Sequence, residues 1–138
     1  MAKNTLLEYP FEFIKVDKLG ILFYPVVSIE LLTIYGFKKF DFLVDTGADV
    51  TTIPSSVASL LHVNLNKLPK SITVGIGGVE VAVKETFLPI RIDKFNLKIR
   101  VNITEGGSAF LLGKKDVFEN MFSLRLDSVK KLTILEKN

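Results

Sequence analysis

Along most of this chain apolar and polar residues alternate with a period of two, the spacing of strands that bury one face and wet the other. The pattern predicts a strand over residues 11–16, lying at a sheet edge, and two more over 21–32 and 37–44, joined in a hairpin through Tyr35 and Gly36. Residues 72–83 read as a second hairpin around Gly75-Ile76-Gly77-Gly78, a glycine-rich tip that carries one isoleucine. Residues 88–92 and 95–103 read as a third, turning at Asp93 and Lys94. The tail forms a last one, with Leu124 and Leu126 on one strand, a turn near Ser128 and Val129, and 132–135 returning. Helical spacing is confined to two short pieces. One is 57–62, after Pro54-Ser55-Ser56, where a serine is available as a cap; the other is 114–122, where Val117, Phe118, Met121 and Phe122 share a face. The expectation is an all-β fold with one or two short helices.

Two stretches break the alternation in the same way. Phe42-Leu43-Val44 and Phe110-Leu111-Leu112 are continuous apolar runs, as buried strands are, and each leads into a glycine turn and then a predicted short helix. The arrangement occurs twice with different loop content, so it is an internal echo and not a solenoid repeat. The first run should deliver Asp45 to a loop tip inside the protein, where a carboxylate is costly to hold ionised unless neighbours donate to it. Thr46 supplies a hydroxyl, and Gly47 lets a backbone approach closely. Burial beside a like-charged group is the setting in which a carboxylate does acid–base work. The competing reading is an ordinary turn, in which Asp45 and Gly47 serve backbone geometry alone. The glycine-rich tip carries the same ambiguity, as a plain hairpin turn or as a lid over a ligand.

Composition narrows the class. A chain of 138 residues fits one domain with a real core, and 48% hydrophobic content without low-complexity tracts fits a globular protein. Cysteine is absent, which excludes disulfides, a thiol nucleophile and thiolate metal sites. A net charge of +3 would suit an anionic partner, but the lysines are scattered singles and pairs such as Lys38-Lys39 and Lys130-Lys131, so no nucleic-acid partner is expected. The longest apolar stretch, 20–37, contains Pro25 and Glu30 and reads as paired strands, so no membrane partner is expected either. No leader with a basic start, an apolar centre and a small-residue cleavage site is recognisable, and the expected location is cytoplasmic. Asp41, Asp45 and Asp49 are spaced by four, which would gather them only on a helix; in strand and loop they predict no metal site, and no cofactor is expected. His62, the one histidine, reads as filler at the core edge or facing solvent.

Taken together, Asp45-Thr46-Gly47-Ala48-Asp49, then Gly75-Ile76-Gly77-Gly78, then Leu111-Leu112-Gly113 resemble, in order, the catalytic loop, flap tip and second glycine turn of the retropepsins, the single-lobe aspartic proteases of retroviral type. The resemblance covers residues 21–122 and implies a closed β-barrel with a flap hairpin, preceded by an extra segment, 1–20, and followed by a charged hairpin, 123–138. It implies a homodimer acting on a peptide or protein substrate, with one Asp45 from each subunit. The chain agrees independently, since no second Asp-Ser/Thr-Gly occurs and two carboxylates sharing a proton must then come from two copies. The resemblance assigns catalysis to Asp45, Thr46 and Gly47, with Thr46 bonding across to its mate. It assigns substrate contact to Ala48, Asp49, Val74, Gly75, Ile76, Gly77 and Gly78.

Three departures qualify these assignments. Ala48 stands where pepsin-type enzymes often carry a hydroxyl, so the ionised carboxylate has one donor fewer and the pair should hold its shared proton more tightly. Activity is therefore expected to extend toward weakly acidic or near-neutral pH, and a rate profile confined to strong acid would contradict this. Lys114 replaces the usual arginine after Gly113, so any pairing with Asp49 lacks a guanidinium's two-pronged geometry. The spacing from Asp45 to the flap is long, and the extra terminal segments leave open how two copies are joined. A retropepsin-like dimer that binds or scaffolds peptides without turnover is the alternative, although a binder would not need the intact Asp45.

Overall fold

Strands occupy most of the chain, as the period-two pattern requires. The computed structural model describes residues 5–74 and 76–138, with Ile76 described through its backbone alone. The strands are β1 (Leu6–Pro10), β2 (Glu12–Val16), β3 (Gly20–Tyr24), β4 (Val26–Thr33), β5 (Gly36–Val44), β6 (Thr51–Pro54), β7 (Lys70–Val74), β8 (Glu80–Ile92), β9 (Phe95–Thr104), β10 (Leu111–Leu112), β11 (Phe122–Asp127) and β12 (Leu132–Lys137). The largest sheet runs β4-β5-β10-β6-β9-β8-β7, and β4 pairs again with β8. The strands from β4 round to β8 thus return on themselves as a ring, in keeping with the closed barrel expected, and β7 extends from β8 as the flap.

The ring closes around alternating apolar residues. Val27, Ile29 and Leu31 of β4, Ile90 and Ile92 of β8, and Ile99, Val101 and Ile103 of β9 are buried to within 1%. The seam is short, pairing Glu30 with Arg91 and Leu31 with Ile90. It is reinforced by Arg91, which donates from both Nε and Nη2 to Glu30 Oε2 and lies 4.4 Å over the Phe37 ring.

The chain ends form a sheet of their own, in the order β1-β12-β11. Its inner face puts Leu7 and Leu135 into the core. Tyr9 is half-buried on the same face, and its hydroxyl is pushed up from 10.0 to about 12, first by loss of water and then by the Asp93 carboxylate. A raised folded-state value means a contribution to stability that is complete below pH 10.0 and is lost as pH rises toward about 12. Denaturant midpoints measured at about pH 9 and about pH 11 should fall more for the wild type than for Tyr9→Phe, which has no proton to lose.

Several sequence expectations shift for local reasons. The strand expected over 21–32 is two, parted at Pro25, which has no N–H to give a ladder and whose carbonyl accepts instead from Val44 N–H at 2.9 Å. The segment expected over 88–92 is the end of the 13-residue β8, which is also the outgoing flap strand. The piece around 57–62 is a 3₁₀ helix, Ser55–Leu60, with Pro54 and not a serine at its cap. Residues 115–121 form turns, not the expected helix. Asp116 there has φ 63 and its carboxylate accepts Arg100 N–H at 2.8 Å, a left-handed residue that ends helical winding. His62 is exposed.

Candidate active site

Asp45 emerges where two apolar strands run parallel. β10 lies beside β5 with Leu111 against Leu43 and Leu112 against Val44. Leu43 N–H donates to Phe110 O at 2.9 Å and Asp45 N–H to Leu112 O at 3.0 Å, so the ladder holds the chain up to the carboxylate itself. The loop then turns back. Gly47 N–H donates to Asp45 Oδ1 at 3.0 Å and Ala48 N–H to Asp45 O at 3.1 Å. One carboxylate oxygen is thereby engaged by the backbone and its direction fixed.

The second glycine turn holds the first. Lys114 N–H and Lys115 N–H donate to Ala48 O and Asp49 O at 3.0 and 2.9 Å. Gly113 N–H donates to the buried Thr51 hydroxyl at 3.1 Å. The approach is so close that a Cβ on Gly113 would stand 2.6 Å from the Val50 carbonyl carbon. The Lys114 ammonium meets Asp49 Oδ1 at 3.1 Å, a single contact between exposed groups and so worth at most about 1 kcal/mol. Backbone bonds and the glycine contact, not this ion pair, set the geometry.

Asp45, Gly47, Ala48 and Asp49 form one side of a cleft of about 570 Å³, which Ile72, Val74, Val81 and Val83 of the flap hairpin face from another side. The flap hairpin also brings Ser71 and Thr73 to the lining, and Asp45, Asp49 and Glu85 bring carboxylates to it. Among the residues expected here, Asp45, Gly47, Ala48, Asp49 and Val74 are brought together. Thr46 is exposed beside the loop and outside the cleft lining, and Gly77 and Gly78, with φ 84 and 79, sit at the flap turn, also outside it. Gly75 and the Ile76 side chain lie outside the described residues. Asp41 accepts the Ser28 hydroxyl at 2.7 Å, and no cluster of metal-ligating side chains occurs among the described residues.

Sequence reasoning missed Thr51, whose only signal was a hydroxyl in a strand directly after the Asp45 loop. It also missed Asn102 and Thr104 of β9, which reach the cleft wall through a parallel pairing with β6 that no local pattern announces. Asn102 Oδ1 is buried there without a hydrogen-bond partner among the described residues, a polar atom left for water or substrate to satisfy.

Both glycine turns and the flap fall within residues 32–117, which match a family model described as "gag-polyprotein putative aspartyl protease". The chain belongs to this aspartyl protease family. Its fold is retropepsin-like as well: a solved retropepsin-like aspartic protease from Rickettsia conorii superposes with a TM-score of 0.63 at 26% identity, over 99% of this chain and 97% of the other. No curated protein matches the chain.

Proposed function

We propose that the chain is a homodimeric aspartic endopeptidase in which Asp45 of each subunit forms one half of the site. The observation that carries this reading is Asp45 itself, its carboxylate held by Gly47 N–H in a cleft that the flap hairpin also lines. One ionised Asp45 takes a proton from a water molecule held between the two carboxylates. The other, protonated, donates to the oxygen of the scissile carbonyl as the water oxygen attacks its carbon. The tetrahedral intermediate collapses with proton transfer to the leaving nitrogen, and no covalent enzyme intermediate forms. Two carboxylates this close share a single negative charge, because like charges at that distance repel.

In this arrangement the exposed Thr46 is free to bond to its mate's backbone. Gly47 and Asp49 offer the substrate main chain its partners, and the flap turn at Gly77 and Gly78 closes over it. Val74 and its apolar neighbours favour hydrophobic side chains on either side of the cleaved bond. The test is a mixed peptide library incubated from acid to neutral pH, with the products sequenced and the oligomeric state measured in parallel. Cleavage at bonds between apolar residues by a dimer is the expected result. A folded dimer that binds peptides and cleaves none would establish the scaffolding alternative in its place.

A further inference from the structure

Four residues on neighbouring strands stand in one row across the cleft wall. Leu111 of β10 is in register with Thr52 of β6, Thr52 with Asn102 of β9, and Asn102 with Glu85 of β8. Partners in register put their side chains on one face of a sheet, and all four line the cleft that holds Asp45. Their chain neighbours Leu112, Ile53, Val101 and Ile103 alternate to the other face and are buried in the core. The row changes character along its length. It begins apolar at Leu111, passes two residues that can hydrogen-bond and ends on a carboxylate. At one strand spacing per step, Glu85 lies roughly 14 Å from Leu111 along the sheet.

Two acceptors at the polar end of the row lack a donor. Asn102 Oδ1 is buried, and no group among the described residues donates to it. Of the carboxylates on the cleft, Asp45 accepts Gly47 N–H and Asp49 meets the Lys114 ammonium, whereas Glu85 forms no ion pair among the described residues. A carboxylate and an amide oxygen cannot satisfy one another, since both only accept. Glu85 and Asn102 stand directly opposite, where Cβ atoms are about 5 Å apart, so one donor can serve both. A peptide that fills the cleft strips solvent from these groups. An apolar side chain would leave them unpaired, and a neutral amide would answer Asn102 but not the charge. An ammonium or guanidinium answers both. We propose that Glu85 and Asn102 form a subsite for a lysine or arginine side chain of the substrate, beyond the two residues that flank the cleaved bond. The inference rests on the peptidase reading of Asp45 and narrows its substrate class to peptides that are apolar at the cleaved bond and basic at one position further along.

Cleavage of a random decapeptide library, with the products sequenced, should show lysine or arginine enriched at one position other than the two flanking the cut. The kcat/KM for a peptide with lysine there should exceed that for its norleucine copy, which keeps the four-carbon stem and lacks the ammonium, by at least about tenfold, as a charge-assisted hydrogen bond supplies. Glu85→Gln should cut that ratio to about threefold or less, and Glu85→Lys should turn the preference to glutamate at the same position. Glu119→Gln, which removes a charge from an exposed turn outside the cleft lining, should leave the ratio as it is. A library without basic enrichment overturns the proposal, and so does a ratio that the Glu85 variants leave unchanged. Asn102→Leu serves if the Glu85 variants do not fold: it fills the same space without an acceptor and should lower the ratio at least about threefold, and an unchanged ratio there overturns the proposal equally.

Binding separates this proposal from the peptidase reading. Asp45→Asn protein, immobilised and incubated with the same library, should retain peptides enriched in lysine and arginine. Adding Glu85→Gln to it should abolish that enrichment while apolar peptides are still retained. If the wild type cleaves nothing but the retained peptides show an enrichment that Glu85→Gln removes, the subsite stands and the peptidase reading falls. If the wild type cleaves and neither its products nor the retained peptides depend on Glu85, the subsite falls and the peptidase reading stands.

Discussion

Replacing Asp45 by Asn should lower the cleavage rate by roughly 10⁴-fold while leaving the fold and the dimer intact, since a positioned acid–base group contributes up to about that factor. Asparagine keeps the acceptor oxygen that Gly47 N–H reaches at 3.0 Å, so the loop loses no backbone bond. What it cannot do is give up or share the proton. Thermal unfolding should therefore shift by no more than the equivalent of about 1 kcal/mol. Mixing makes the prediction sharper. If the site needs both carboxylates and subunits exchange freely, an equal mixture of wild type and Asp45→Asn should retain about a quarter of the activity of the same amount of wild type, because only dimers with two intact subunits work. If each chain worked alone, the mixture would retain about half. The second result would end the two-subunit reading even if Asp45→Asn by itself were inactive.

The parts of this site that were legible in the sequence are those whose function forces a residue type at a fixed spacing. An apolar run ending in Asp45-Thr46-Gly47 announces a strand that delivers an acid, and Leu111-Leu112-Gly113 announces its companion. The flap was legible because glycines interrupt an alternating pattern. The contacts that hold these pieces together were not, because they depend on pairings between distant segments: β10 inserted between β5 and β6, and β6 beside β9. Thr51 illustrates the limit. Its hydroxyl accepts from Gly113, 62 residues away, and nothing within its own segment distinguishes it from Thr52. The missing helix over 114–122 has a similar cause. Its apolar spacing was genuine, but Asp116 is held at φ 63 by a bond to Arg100 on β9, and a tertiary contact overrode a local preference.

Gly113→Ala should destabilise the protein by about 3 kcal/mol or more, at the upper end of what overpacking costs. The position has an ordinary φ, so backbone strain is not the reason. The added methyl would meet the Val50 carbonyl carbon at 2.6 Å, the Val50 oxygen at 2.7 Å and the Asp49 carbonyl carbon at 2.9 Å, all of them main-chain atoms. No side chain can swing away to make room, so the two turns must separate. Separation also strains the bonds from Lys114 and Lys115 to Ala48 and Asp49, and the one from Gly113 to Thr51. For a domain of this size the expected fall in unfolding temperature is roughly 10 °C. Gly47→Ala is the informative contrast. Its methyl meets only the Asp45 carboxylate, at 3.3 Å, so stability should change by less than about 1 kcal/mol while cleavage falls as the acid is pushed off its position. If Gly113→Ala unfolded at the wild-type temperature, the second turn would not be what braces the first. The rigidity of Asp45 would then have to come from β5 and β10 alone.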